Sequence, residues 1–245
     1  QNCRNKIFIN FILNGLILNK RKRNKILEEK GFLGPTTILI SPTMRCNFNC
    51  KKCYASDYIR EDDLPFELAD KVVSEGKELG VGFYIILGGE PFIRRDLLDL
   101  FEKHNDSYFL VFTNGSLINE NMTNKLSELG NVFPMLSLEG FGDKTDKIRG
   151  KGTYKHLMEV MDLLKNKGIP FGYSVVSNRN NVEEITSDKF VDLMIDKGAY
   201  LGFYLLHMPI GKDPDLRMMP TPKQRKYLLD RGKEIRNTKP LFFVD

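Results

Sequence analysis

The sequence predicts an α/β fold, and three observations carry that reading. Short β-branched and aromatic runs alternate along the chain with longer segments of helical period. The runs are apolar on both faces, which is the pattern of parallel strands rather than of half-wetted antiparallel ones. No repeat, low-complexity tract or linker-like stretch interrupts the 245 residues, so a single core domain is expected.

Residues 4–30 read as an amphipathic helix, with Ile7, Phe8, Phe11, Ile12, Leu16, Ile26 and Leu27 at roughly helical spacing. Residues 1–33 are therefore taken as an N-terminal helical extension and 34–245 as the core domain. Gly34-Pro35 then introduces a first strand at 36–40, and a cysteine loop follows it. Helix near 66–79, strand 82–87, helix 94–104, strand 108–113, helix 119–129 and strand 133–138 come next. Helix 153–167, strand 171–177, helix 182–197, strand 200–206 and helix 221–236 complete the alternation. Six strand–helix units joined by right-handed crossovers suit a partial (β/α)6, TIM-like barrel of parallel strands, with a doubly wound sheet as the other geometry. In either, the active site belongs at the carboxyl ends of the strands.

Composition narrows the class. Four cysteines, three of them within eight positions, are too few and too clustered for a secreted disulfide framework, so a reducing, cytoplasmic setting is expected. The longest apolar stretch, Ile7 to Leu18, contains Asn10, Asn14 and Gly15 and is too short to span a bilayer. It also lacks the flanks of a signal peptide. The net charge of +5 is modest and gathers in Lys20, Arg21, Lys22, Arg23 and Lys25, which reads as a solvated helix face or a contact with an anionic membrane surface through residues 1–31. No RNA-binding appendage points to a nucleic-acid partner. The chain opens with Gln1 and stops at Asp245 just after an apolar run, so a fragment is expected. Cys3 is read as a passenger thiol.

Cys46, Cys50 and Cys53 form C-x3-C-x2-C where the chain leaves the first strand. Three thiolates on a short loop can ligate three irons of a cube-shaped cluster and leave the fourth without a protein ligand. A zinc site is the plain alternative, but His104, His156 and His207 all lie far along the chain and no paired C-x2-C unit is present. With this spacing after the first strand, residues 36 to about 210 resemble the radical S-adenosylmethionine (SAM) superfamily. The resemblance implies a 4Fe-4S cluster whose open iron is chelated by SAM. It also implies reductive SAM cleavage to methionine and a 5'-deoxyadenosyl radical that abstracts a substrate hydrogen, and an electron donor such as ferredoxin or flavodoxin. Lys52 departs from the family pattern, which has an aromatic residue there beside the adenine; Phe48 or Tyr54 would then supply that surface.

Gly88-Gly89-Glu90-Pro91 closes the second strand and resembles the family GGEP motif. Glycines let backbone approach a ligand closely, and strand-end carbonyls with Glu90 suit the SAM ammonium group. Ser137-Leu138-Glu139-Gly140 resembles a Ser-x-Asp-Gly motif, with Ser137 at the ribose and Glu139 one methylene longer than the usual acid. Arg149 resembles the arginine that grips the SAM carboxylate with its planar fork. Asn114 in Thr113-Asn114-Gly115 resembles a site-lining Thr-Asn-Gly, and Ser174, Leu205, His207 and Met208 at later strand ends are expected to face the adenosyl group. The plain reading of these last residues is a turn, a satisfied core or a surface side chain. The branch resembled contains peptide and protein maturases, which favours a peptide or protein substrate. A lipid or an RNA substrate, and a non-catalytic iron–sulfur or zinc module, remain as alternatives.

Overall fold

The computed structural model describes residues 17–55, 62–211 and 214–245. Its centre is a seven-stranded, wholly parallel sheet whose strands lie in sequence order, curled into a half-barrel. The strands are β1 (Thr37–Ile40), β2 (Phe83–Ile86), β3 (Tyr108–Thr113), β4 (Val132–Leu138), β5 (Phe171–Ser177), β6 (Ala199–Leu206) and β7 (Phe242–Val244). The expected partial barrel is thus present with one strand more than predicted, because β7 is short and pairs with only Leu201, Gly202 and Phe203 of β6.

The helices are α1 (Asn19–Lys30), α2 (Phe66–Glu78), α3 (Leu97–Lys103), α4 (Glu120–Leu129) and α5 (Gly142–Arg149), then α6 (Thr153–Asn166), α7 (Val182–Ile185), α8 (Asp188–Asp196) and α9 (Pro222–Thr238). Side-chain chemistry sets several of their ends. The Asn119 carboxamide accepts from Met122 N at the start of α4, and Gly130, with φ 66°, ends it. Thr221 and Gln224 form a reciprocal capping box on α9 with Pro222 just inside. The single helix expected over 182–197 is two helices. Thr186 turns its hydroxyl back onto Val182 O, and Ser187 caps α8 by accepting from Phe190 N.

Alternation along the strands divides two environments. Tyr84, Ile86, Phe109, Val111, Leu136, Leu138, Tyr173, Val175 and Tyr204 are essentially inaccessible and belong to the main core cluster. Their neighbours Ile85, Phe112, Ser137, Ser174, Val176, Phe203 and Leu205 instead line a cavity. The strands are apolar on both sides, as expected, but only one side is sealed into the core.

Of the expected N-terminal helix, residues 1–16, including Cys3, lie outside the described residues. In α1 only Ile26 is buried, and Arg23 donates to Gly80 O at 2.7 Å; Lys20, Arg21, Lys22 and Lys25 face solvent. Among the described residues no helix is long and apolar enough to cross a membrane.

Candidate functional site

The cavity, of about 490 Å3, gathers the carboxyl ends of successive strands. Cys46, Cys50, Cys53, Gly88, Gly89, Asn114, Ser137, Glu139, Arg149, Ser174, Leu205, His207 and Met208 all line it; Glu90 and Pro91 do not.

The cysteine loop is held from several sides. Arg94, buried beneath it, donates to Pro42 O at 3.2 Å and Leu64 O at 2.7 Å, and the Arg45 guanidinium pairs with Asp63. Lys51 N donates to Ile148 O at 2.9 Å, so the loop leans on the last turn of α5. Lys52 sits at φ 63°, a left-handed conformation unusual for a residue with a Cβ. The three thiols are half-buried, and burial pushes those of Cys46 and Cys50 above the ordinary thiol value. Among the described residues, no three His, Cys, Asp or Glu side chains converge closely enough for one metal ion. A cluster that takes one thiolate on each of three irons asks for a wider spacing than a tetrahedral zinc does.

Two features of the GGEP segment are not legible in its sequence. Gly89 N donates to Thr43 O and Glu90 N to Arg45 O, both at 2.9 Å, so this strand end is bonded to the backbone of the cysteine loop. A Cβ on Gly88 would stand 2.2 Å from Thr43 O, and one on Gly89 2.2 Å from Arg45 O. The close approach that demands glycine is therefore to the loop that carries Cys46. Glu90, expected to face a ligand ammonium, is fully buried beside the cavity. Its Oε1 accepts from Thr113 Oγ1 at 2.8 Å and Phe92 N at 3.2 Å, and its Oε2 from Asn114 N at 2.7 Å. The 3-10 turn Pro91–Ile93 directs the carboxylate inward, and burial raises its pKa while these donors oppose the rise.

On the opposite wall Ser137 Oγ and Ser174 Oγ stand 3.4 Å apart on paired strands. Arg149 ends α5 and directs Nε (3.1 Å) and Nη2 (2.8 Å) onto the same oxygen, Glu139 Oε1. Glu139 is only 6% exposed; burial raises its pKa and Arg149 lowers it. Arg149 is thus held in an internal ion pair with Glu139 at the cavity edge. The ring of His207 leaves Nε2 buried and, among the described residues, without a hydrogen-bond partner on the cavity wall. Phe48 and Tyr54 both line the cavity next to Lys52. Sequence reasoning missed Leu39, Ile85, Phe112 and Phe203, which supply the apolar lining, although strand parity with Ser137 and Ser174 marks them.

A family model described as Radical SAM superfamily matches residues 40–194, more than half of the chain. Fe-coproporphyrin III synthase of Methanosarcina barkeri is 32% identical over 148 residues, 58% of this chain and 37% of that protein. Mycofactocin maturase MftC of Mycolicibacterium smegmatis is 29% identical over 209 residues, 82% of this chain and 53% of that protein. The chain thus spans about half the length or less of these two relatives. Among solved structures, Streptococcus suis SuiB bound to S-adenosylmethionine superposes with a TM-score of 0.73 at 20% identity, over 92% of this chain and 54% of that one, a likeness of fold.

Proposed function

This chain belongs to the radical SAM superfamily, and on that premise we propose that Cys46, Cys50 and Cys53 hold its 4Fe-4S cluster at the rim of the strand-end cavity, where the neighbouring wall receives SAM. When bound, this pair of cofactors supplies one-electron cleavage of a sulfonium carbon–sulfur bond and hydrogen-atom abstraction from a substrate. The observation that carries the reading is the convergence of the three thiols, the Gly88–Gly89 backbone and the Ser137–Ser174 pair on one cavity, with His207 Nε2 buried there and without a partner among the described residues.

Each wall then has a task. Gly88 and Gly89 present backbone to the amino-acid end of SAM, and Glu90 and Pro91 shape that backbone from behind. Arg149 offers its guanidinium to the SAM carboxylate, steadied by Glu139. Ser137 and Ser174 suit ribose hydroxyls, Phe48, Tyr54 and Leu205 the flat adenine, and Asn114 the cluster side. His207 Nε2 gains a partner when a polar ligand atom arrives. The apolar lining excludes water, which protects a reactive species from quenching.

Residues 34–245 act as the catalytic core and 1–33 as an N-terminal extension, in a reducing cytoplasmic setting with a ferredoxin- or flavodoxin-type donor. A peptide is the favoured substrate, because a relative named PqqA peptide cyclase, from Rhizobium meliloti, is 30% identical over 66% of this chain; the shorter match to Fe-coproporphyrin III synthase makes an iron porphyrin the second candidate. Membrane contact through residues 1–31 is a separate proposal, and anionic liposomes should retain the whole chain but not one lacking those residues.

The test is anaerobic reconstitution. The protein should bind iron and sulfide in the 4Fe-4S ratio, form 5'-deoxyadenosine only with reductant, and change its electron spin resonance when SAM is added. Replacing any of the three cysteines by Ala should abolish all three. Failure of the SAM-induced spectral change in fully loaded protein would overturn the assignment. Peptide against iron coproporphyrin III, compared as stimulants of 5'-deoxyadenosine formation, then decides the substrate class.

A further inference from the structure

Asn114 closes β3 in a network that leaves its carboxamide a single orientation. Ser116 N is a backbone donor and stands 2.9 Å from Asn114 Oδ1, so that atom must be the oxygen. Ser116 Oγ reinforces it at 2.6 Å. The amide nitrogen is thereby turned the other way, where Nδ2 donates to Asn47 Oδ1 at 3.0 Å and points at Cys46 Sγ at 3.9 Å, within reach of a large sulfur acceptor. Asn47 in turn donates from its own Nδ2 to Ser116 Oγ at 2.8 Å, closing a ring of three side chains. Behind this ring the backbone of Asn114 is fixed by its N–H to Glu90 Oε2 at 2.7 Å. A second donor, Phe48 N, stands 3.4 Å from the same sulfur.

Two N–H groups therefore converge on Cys46 Sγ, one from its own loop and one from a neighbouring strand end. Donors of this kind stabilise electron density on a ligating sulfur, and hydrogen bonds to sulfur are among the protein's means of setting an iron–sulfur potential. Only the Asn114 donor can be altered by side-chain substitution, since the other is backbone.

We propose that Asn114, aimed by Ser116 and Asn47, is a positioning residue that raises the reduction potential of the cluster through an N–H···S hydrogen bond to Cys46. The inference rests on Cys46 being a cluster ligand. The Glu90 of the GGEP segment enters through it, because the carboxylate that anchors the Asn114 backbone ties two strand ends to one sulfur. The buried carboxylate then acts on the cluster through the Asn114 backbone that it anchors.

Three variants test it, read by spectroscopically monitored redox titration of reconstituted protein without SAM or substrate. Asn114→Asp keeps the shape and the acceptor for Ser116 but turns an oxygen toward Cys46. Asn114→Leu keeps approximate volume and removes both amide groups. Ser116→Ala frees the carboxamide to rotate. The midpoint should fall in all three, most for Asn114→Asp and least for Ser116→Ala, at iron and sulfide contents equal to the parent. A parent-like midpoint in fully loaded Asn114→Leu would overturn the proposal, and a shift confined to Asn114→Asp would do the same by exposing a simple charge effect. Loss of the cluster in all three would also overturn it, by making Asn114 a brace for the loop. Failure of the ligand assignment shows separately, as a Cys46→Ala variant that still loads the full cluster.

Discussion

The two walls of the cavity are built on different terms. On the side of β1, β2 and β3, backbone groups are already bonded: Gly89 N to Thr43 O and Glu90 N to Arg45 O, both backbone to backbone, and Asn114 N to the buried Glu90 carboxylate. On the side of β4, β5 and β6, side chains stand with looser commitments. The Ser137–Ser174 contact is 3.4 Å long, Arg149 directs two nitrogens to a single oxygen, and His207 Nε2 has no partner among the described residues. A site that must hold a cluster in one place and also admit a second, exchangeable ligand needs both. Rigid positioning requires bonds already made in the empty protein, and binding requires groups whose bonds are not yet made.

Substitution at Gly89 should expose the first wall most severely. Gly89→Ala places a Cβ 2.2 Å from Arg45 O and 2.6 Å from Arg45 C, against backbone that cannot rotate away as a side chain would. Displacing the loop should cost about 3 kcal/mol of stability, at the upper end of overpacking effects, and should abolish cluster loading. Urea unfolding of the metal-free chain and iron content after reconstitution read the two effects. Full loading by Gly89→Ala would mean that the wall yields, and the contrast between the sides would go.

The opposite wall should answer differently. His207→Ala removes a ring whose Nε2 makes no hydrogen bond among the described residues, so stability should stay within about 0.5 kcal/mol of the parent. Binding of SAM should weaken about fivefold, the value of one ordinary hydrogen bond near 1 kcal/mol. Equilibrium binding to cluster-loaded protein measures this. A marked loss of stability with unchanged affinity would place His207 among the structural groups and sharpen the comparison against this reading.

These contrasts were unevenly legible in the sequence. β3 and β5 were predicted at 108–113 and 171–177 and are found there, because apolar runs bounded by polar turns leave little choice of register. α5 was not foreseen: Asp143, Lys144, Asp146 and Lys147 between glycines look like a loop. The helix is fixed by side-chain bonds to backbone around its ends, Thr145 Oγ1 to Gly140 O and Asp146 accepting from the N–H groups of Gly152 and Tyr154. Missing α5 concealed the Glu139–Arg149 pair, whose members meet only because that helix brings the chain back. The strand-end motifs located the cavity, yet the motif could not say which way Glu90 points. That direction is decided by the turn at Pro91–Ile93, and a turn is a property of three residues and their neighbours.

The smallest expected effect concerns what backs the rigid wall. Behind β2 and β3, α2 and the end of α3 are joined through His104, whose Nε2 meets Asp70 Oδ1 at 2.9 Å and whose Nδ1 lies 3.4 Å from Lys77 Nζ. Lys103 also pairs with Asp70, and Asp106 with Lys77, so His104 faces both signs of charge. Burial is the largest influence on it and, with Lys77, lowers its pKa, while Asp70 and Asp106 oppose them. An unfolded histidine takes its proton near pH 6.5, before the folded one does. Its contribution is therefore intact above about pH 6.5 and declines as the pH falls toward the lower folded value, because there the unfolded chain binds more protons. Asp70, held below the ordinary carboxylate value chiefly by Lys103, adds its own loss at still lower pH. The urea midpoint should fall between pH 7.5 and 5.5, and His104→Gln, which cannot titrate, should show a flatter profile over that interval. Equal pH slopes in the two proteins would remove His104 as the cause and leave the backing of this wall indifferent to acid.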